Sequence, residues 1–589
     1  MQSPAPPHPR IPAFAQPPET SKIIPSAPPS FRYPVPHSPP PAALTVSSPQ
    51  SIDAAPAIDS WAPPSSADSA STAFWDYQML FLSQRAETTD PVLLRVVDGT
   101  VPPDLPRGTY YLTGPGIFVD DYGSTVHPLD GHGYLRSFSF SGAGGGVRYA
   151  ARYVETEAVK EEREEGTGRW RFTHRGPFSV LKGGRRVGNM KVMKNVANTA
   201  VLRWGGRLFC LWEGGNPYEI DPNSMETMGA VDLVGEAKNN MTRREALPRD
   251  VALDVAAAVI RPVLYGIFKM HPKRMISHYK IDGERNRLLL LTCSAEDLLL
   301  PRANFTFYEF DDNFELKQKK EFIIPDHLFI HDWAFTENHY ILFGNRIKLD
   351  IPGALLAVSG LSSMISALSL NPNQSKTPIY LLPRSTASEG RPRDWEVPIE
   401  APSQLWISHV ENAFEEDEGG GRLHLQIQAS ACSYQWFNMQ KMFGYNWQNR
   451  RLDPAFMNAA EGNEEQLPHL VKVSIELDEM GECRSCTVAN SSRWWPWPAD
   501  FPTINQTQAG RKNRFTYAGT ASGSRRHLPH FPFDSVLKLD GDDGKVGTWW
   551  AGDRKFVGEP TFVAKGTGDE DDGYVLVVEV REEQISIGV

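Results

Sequence analysis

Cysteine is scarce in this chain. Five occur in 589 residues (Cys210, Cys293, Cys432, Cys483 and Cys486), too few and too scattered for a disulfide framework. The CRSC pair has no second pair to complete a four-thiolate zinc site, which leaves ordinary reduced thiols. Basic charge is not in excess either. Lys and Arg number 60 against 71 Asp and Glu, a net charge of −11, so little is spare to neutralise phosphates and a general nucleic-acid binder is excluded. Long hydrophobic runs are missing as well: no stretch reaches the roughly 20 apolar residues of a spanning helix. The N-terminus lacks the charged-then-apolar pattern of a secretory signal. Residues 1–52 hold a single acidic residue, Glu19, but few arginines and many prolines, a poor transit peptide. A cytoplasmic or peripheral-membrane location is expected, with a plastid left open.

What is present divides in two. Residues 1–70 carry 19 of the 48 prolines and few large apolar side chains, and such a segment cannot bury enough surface to offset its ordering entropy. It is expected to be disordered and separate from a folded domain over 71–589. From about Trp75 the chain becomes a long series of short strand-like runs broken by glycine and polar turns, among them GTYYLTG, RLLLLTCSA, HYILFG, PIYLLP, RLHLQIQA and YVLVVEV. Many small strands mean a sandwich, barrel or propeller. A series this long favours radial repetition, which also supplies an axis where distant residues meet. Two stretches break the pattern, 253–272 and 351–372. They read as helical or loop insertions, either a helical cap with its apolar face buried or an apolar patch at a membrane interface.

Three histidines stand at the openings of strand-like runs: His278 in ISHYKIDGERNRLLLLT, His331 in LFIHDWAFTENHYILFG and His409 in LWISHVENAFEED. Gathered to one axis, three neutral imidazoles would suit iron, copper or zinc, and spacing alone does not choose among them. Glu213 in WEGGNP, Asp500 in PADFP and Glu559 in VGEPTF occupy similar positions; a carboxylate that takes the other N–H of a ligating imidazole fixes its tautomer and direction. His271 and His327 lie close by in sequence but are not preferred as ligands, and His527 and His530 read as surface turn residues.

At this point the residues match a family. From about Trp75 onward the chain resembles the carotenoid cleavage oxygenases, in GTYYLTGPG, HPLDGHGYLRSFSF, NTAVLRWGGRLFCLWEGGNPYEIDP, HDWAFTENHYILF, SHVENAFEE, DFPTINQTQAGRKNRFTY and VGEPTFVAKG, in the family's order. The resemblance implies an all-β, seven-bladed β-propeller with a helical dome over its top face. It implies one Fe(2+) per chain on the axis, held by His278, His331 and His409 with a fourth histidine, and oriented by Glu213, Asp500 and Glu559. Asp500 falls where the family has glutamate; its side chain is one methylene shorter, which implies a longer orienting contact or an intervening water. Nothing after His530 matches the fourth ligand, so a truncated product with an incomplete last blade is expected. The implied activity is addition of both atoms of O2 across a carbon–carbon double bond of a carotenoid or apocarotenoid, giving two carbonyl products. The implied partners are an apolar polyene and a membrane surface, with the protein a monomer. Two other readings stay open: an inactive or apocarotenoid-binding homologue, and cleavage of a stilbene-type double bond.

Overall fold

The computed structural model describes residues 69–589 and the short strand Ala43–Thr45, apart from 183–188, 192, 236–247, 362–367, 371–374, 386–392, 447–450, 459–461, 492–493, 567, 582–583 and 589. The reading of 1–70 as disordered therefore falls almost wholly outside the described residues.

Why the chain folds as it does is plainest in its most apolar strands. Arg287–Ser294 (RLLLLTCS), His339–Phe343 (HYILF) and Pro378–Pro383 (PIYLLP) are apolar at consecutive positions. Since successive side chains point to opposite faces of a sheet, such a strand must be buried on both. It is. Leu288 and Leu290 pack with Leu202, Phe209 and Leu211 on one side, whereas Leu289 and Leu291 pack with Tyr340, Leu342 and Tyr380 on the other. Ile341, Phe343, Ile379 and Leu381 in turn face Ile407, Leu425 and Val473.

Among the described residues seven sheets have four or more strands, and they follow one another along the chain over 88–153, 200–230, 273–324, 334–400, 406–490, 499–550 and 555–588. Within them neighbouring strands run antiparallel, apart from the pairings of Ala43–Thr45. The larger apolar cores lie between successive sheets. The sixth and seventh meet through Phe533, Val536, Val557 and Val577, and the seventh returns to the first, where Leu576 and Val578 pack with Tyr134, Phe138 and Tyr149. The early strand Arg95–Asp98 joins the last sheet through Ala43–Thr45, which runs parallel to it and to Gln584–Gly588. First and last parts of the chain thus share one sheet. A helix, Ala70–Met79, straps across this closure: Asp76 takes a two-pronged hydrogen bond from Arg554, and the Tyr77 hydroxyl donates to the carbonyl of Phe443.

Among the described residues both insertions contain helix, and part of the second is a strand. Residues Pro248–Arg261 form an α-helix. Pro262 cannot donate a backbone hydrogen bond, and the following turn, Pro262–Ile267, widens to π geometry, with Phe268 N–H bonded to Val263 C=O. The second helix, Ile351–Ser359, carries proline in its first turn and stops at Gly360, whose φ of 84° suits glycine. Residues Leu368–Leu370, within the stretch expected to be helical or loop, are instead a strand paired with Asn345–Leu349. The two helices meet around Leu264, Ile260 and Val358. Both leave apolar residues exposed: Val255, Val259, Val263 and Ile267 at four-residue spacing on one, Ile351, Leu355 and Leu356 on the other.

Burial also sets a pH limit on this fold. Loss of hydration holds the His127 and His132 imidazoles down at about 4, although Glu162 lies against His132 and opposes the shift. In the unfolded chain both titrate near 6.5. Between those values the unfolded state binds more protons, so stability is complete above 6.5 and falls as pH drops towards 4, by up to about 1.4 kcal/mol per pH unit per group. Denaturant midpoints measured from pH 7 to 4.5 are expected to fall continuously; a flat series would contradict this.

Candidate metal centre

Each of the three histidines sits where a strand begins or is interrupted. His278 lies between Lys273–Met275 and Lys280–Asp282, and His331 between Leu328–Phe329 and Ala334–Phe335. His409 lies inside the strand Trp406–Gly419, at a bulge where Ile407 opposes Ala431 and His409 opposes Ser430. The extra residue re-aims the side chain off the sheet face. Flanking aromatics lock the segments: the buried Trp333 indole N–H donates to the His278 carbonyl at 2.7 Å, and the Tyr279 hydroxyl to the Val201 carbonyl at 2.8 Å.

These positions bring the imidazoles together. One ring nitrogen from each lies within 4.8 Å of the other two, and Nε2 of His278 is 3.2 Å from Nε2 of His331. The rings are tilted 62–70° to one another, with centroids 4.6–5.4 Å apart. They are deep in the molecule yet partly accessible, with side-chain exposures of 24%, 27% and 19%. They therefore face an internal space.

Of the three expected carboxylates, two stand against these rings. His409 Nδ1 donates to Asp500 Oδ1 at 2.8 Å. The shorter side chain reaches without a lengthened contact because its own strand is bulged between Asp500 and Thr503, with Phe501 at a φ of 56°. Glu213 Oε1 is 2.7 Å from His331 Nδ1, but out of line, and this buried oxygen has no hydrogen-bond partner. Its loop turns at Gly214, whose φ of 122° is closed to other residues. Glu559 stands apart, with no hydrogen bond or ion pair among the described residues. It is exposed, yet dehydration together with the negative Asp500 and Asp332 raises its carboxyl above the usual range, against the pull of His409. An accessible but poorly hydrated carboxyl lies on the wall of an enclosed space.

Two residues that sequence reasoning passed over complete the picture. The buried Asp332 accepts from Lys280 Nζ at 2.9 Å and from Val410 N–H at 2.7 Å, and lies 3.9 Å from His278 Nδ1. The only signal in the sequence was adjacency: Asp332 follows His331, and Lys280 stands two residues after His278. The discarded histidines are engaged elsewhere, His271 with the Lys273 carbonyl and His327 with that of Leu298. His530 is buried, contrary to the surface turn expected for it.

The donor set fits a transition-metal dication. Nδ1 of His331 and of His409 is turned to a carboxylate, which places their lone pairs on the nitrogens that face the other rings. Burial, outweighing Asp332, holds His278 well below the ordinary histidine range, as a neutral donor. Burial would also depress His409, but Asp500 prevails and raises it to about 9, so a metal entering here displaces a proton. Converging imidazoles without a thiolate suit iron, copper or zinc over magnesium or calcium.

Comparison with known proteins adds the following. Residues 81–587 match the family model described as retinal pigment epithelial membrane protein. The chain is 61% identical over 520 residues to carotenoid cleavage dioxygenase 7, chloroplastic, of Oryza sativa subsp. japonica, covering 87% of this chain and 85% of the rice protein. With the protein of the same name from Arabidopsis thaliana, identity is 55% over 521 residues, covering 87% and 84%. Among solved structures, the cobalt-substituted Synechocystis apocarotenoid oxygenase superposes with a TM-score of 0.61 at 23% identity, over 86% of this chain and 90% of that one.

Proposed function

From the premise that the chain belongs to the carotenoid cleavage oxygenase family and is a dioxygenase of carotenoid or apocarotenoid cleavage, we propose that His278, His331 and His409 hold one Fe(2+) at which O2 cleaves one carbon–carbon double bond of an apocarotenoid or carotenoid. The convergence of those three imidazoles within 4.8 Å carries the reading. We read the seven successive sheets as the blades of a β-propeller, the histidines at their openings as its axis, and the helices at 248–267 and 351–359 as part of a dome. The iron supplies the redox chemistry that O2 needs to react with an alkene. The protein's own residues bind, orient and exclude water. Asp500 holds His409 in the direction of the shared space, and Glu213 stands beside His331. No side chain has to take or give a proton to the polyene.

An aromatic succession supports an apolar substrate. Phe501 lies beside His409, tilted 40° with centroids 5.2 Å apart, and Phe533, Phe531, Phe443 and Phe81 follow at spacings of 5.6–6.2 Å. Rings at this spacing give a rigid apolar wall suited to a conjugated chain. The exposed valines and leucines of the two helices serve to dock the protein on a membrane, from which such a substrate enters. No helix among the described residues is long and apolar enough to cross one. The two first relatives are named chloroplastic, which supports a plastid as the place of action.

Full-length protein reconstituted anaerobically with Fe(2+) is expected to bind close to one iron per chain. It should convert an apocarotenoid to two carbonyl products, each labelled from labelled O2, in preference to a stilbene. His331→Ala should lower iron content and turnover together by at least ~100-fold, and Asp500→Asn should weaken iron binding by ~10–100-fold, the usual effect of losing a partner of a ligating imidazole. Tight polyene binding without iron or product would establish the non-catalytic alternative instead. Sedimentation with phosphatidylcholine vesicles checks the docking face: the double variant Val259→Asp, Leu355→Asp should remain in the supernatant while the parent pellets, and equal partition would remove that assignment.

A further inference from the structure

We propose that Lys280 and Asp332 form a latch that sets the three histidine-bearing segments in the register at which their imidazoles converge. The inference rests on the reading of His278, His331 and His409 as metal ligands. Its basis is connectivity. Asp332 is covalently next to His331, Lys280 is two residues from His278, and Val410 adjoins His409. Asp332 Oδ1 lies 2.9 Å from Lys280 Nζ, and its Oδ2 accepts from Val410 N–H at 2.7 Å. Lys280 Nζ makes its second bond to the Val410 carbonyl at 2.8 Å. Two side chains and the backbone N–H and C=O of one residue, Val410, therefore close a cycle through all three segments, which come from three different sheets.

The other contacts at the site join the segments less completely. Trp333 ties the His331 segment to the His278 carbonyl but leaves His409 out. Asp500 fixes His409 to a fourth segment and touches neither of the other histidines. Among the described residues, the Lys280–Asp332 pair with Val410 joins all three segments.

The pair also restrains a competing donor. Asp332 Oδ2 is 3.9 Å from His278 Nδ1, near enough for a small rotation to engage that ring or to enter the space between the imidazoles. Lys280 on one oxygen and Val410 N–H on the other hold it away. With side-chain exposures of 16% and 4%, neither member can lose its partner without leaving a dehydrated charge, and a freed carboxylate would take the nearest positive group. Both act through the histidine-bearing segments and are therefore positioning residues.

Cobalt(II) alone, titrated into the metal-free full chain and followed by its visible absorption, tests the latch without any turnover. If the parent protein binds no cobalt saturably, the metal-centre reading itself fails. If it binds, Lys280→Met and Asp332→Asn should each weaken affinity by ~10–100-fold and alter the absorption bands, and Lys280→Arg should restore most of the loss. The double variant should be no worse than the weaker single one, because both act through one contact. Single variants that melt at lower temperature but bind cobalt with parental affinity and spectrum would overturn the proposal and leave the pair a plain stabilising contact. Should Lys280→Met fail to fold, Asp332→Asn decides: its amide keeps the shape and can still accept from Val410 N–H, so unchanged affinity there is equally fatal.

Discussion

Burial of single strands on both faces is the constraint from which the rest of this structure follows. A sheet with one wet face can end where its core ends. A sheet such as that over 273–324, with Leu288 and Leu290 facing one neighbour and Leu289 and Leu291 the other, needs a further sheet on each side. Repeated from sheet to sheet, that demand is met only when the last returns to the first, as Leu576 and Val578 do against Tyr134 and Phe138. Radial packing of this kind leaves no unpaired apolar face between sheets, and it gathers the segments at the openings of inner strands around one line. The histidines are neighbours for that reason, despite separations of 53 and 78 residues read from their numbers.

Gathering the segments is coarser than aiming the side chains. Two strand bulges, at His409 and after Asp500, turn facing residues out of the regular pleat, and the left-handed backbone of Phe501 shortens the distance an aspartate must span. The extra methylene of a glutamate is thereby made unnecessary. At Glu213 the aim is looser: the distance to His331 is short, the angle is poor, and an oxygen is left without a donor. A buried carboxylate oxygen in that condition is costly, and a ring rotated by a ligated ion would be the means of satisfying it.

Much of this was legible in the residues and some of it could not be. The runs LLLL, YILF and IYLL announce strands buried on two faces, and three histidines at strand openings with Glu213 and Asp500 behind them announce a point of convergence. Those signals are local, a period and a flanking residue. What failed to show depends on contacts distant in sequence. Nothing in RVVD says that Arg95–Asp98 belongs to the last sheet, and nothing in LSL says that Leu368–Leu370 leaves an apolar, helix-like stretch to pair with Asn345–Leu349. Lys280 and Asp332 look like ordinary solvated turn charges until the fold places them together. His530 is likewise undistinguished in HLPHFPF, and its burial comes from the surrounding loops.

Charge balance joins these observations. Around the imidazoles stand the carboxylates of Glu213, Asp500 and Asp332 and the single ammonium of Lys280, so the fixed groups leave two negative charges in a space with little water. These surroundings favour the protonated forms: Asp500 raises His409 to about 9, and burial with Asp500 and Asp332 raises Glu559. Negative neighbours raise His409 against burial, whereas at Glu559 they add to the larger effect of dehydration. A monovalent ion would leave half of the excess, and a hard dication would find nitrogen donors where it prefers oxygen. The carboxylates would therefore match a dication in charge as well as set the direction of the rings, whereas the Lys280–Asp332 pair, neutral in sum, would fix geometry without altering that match.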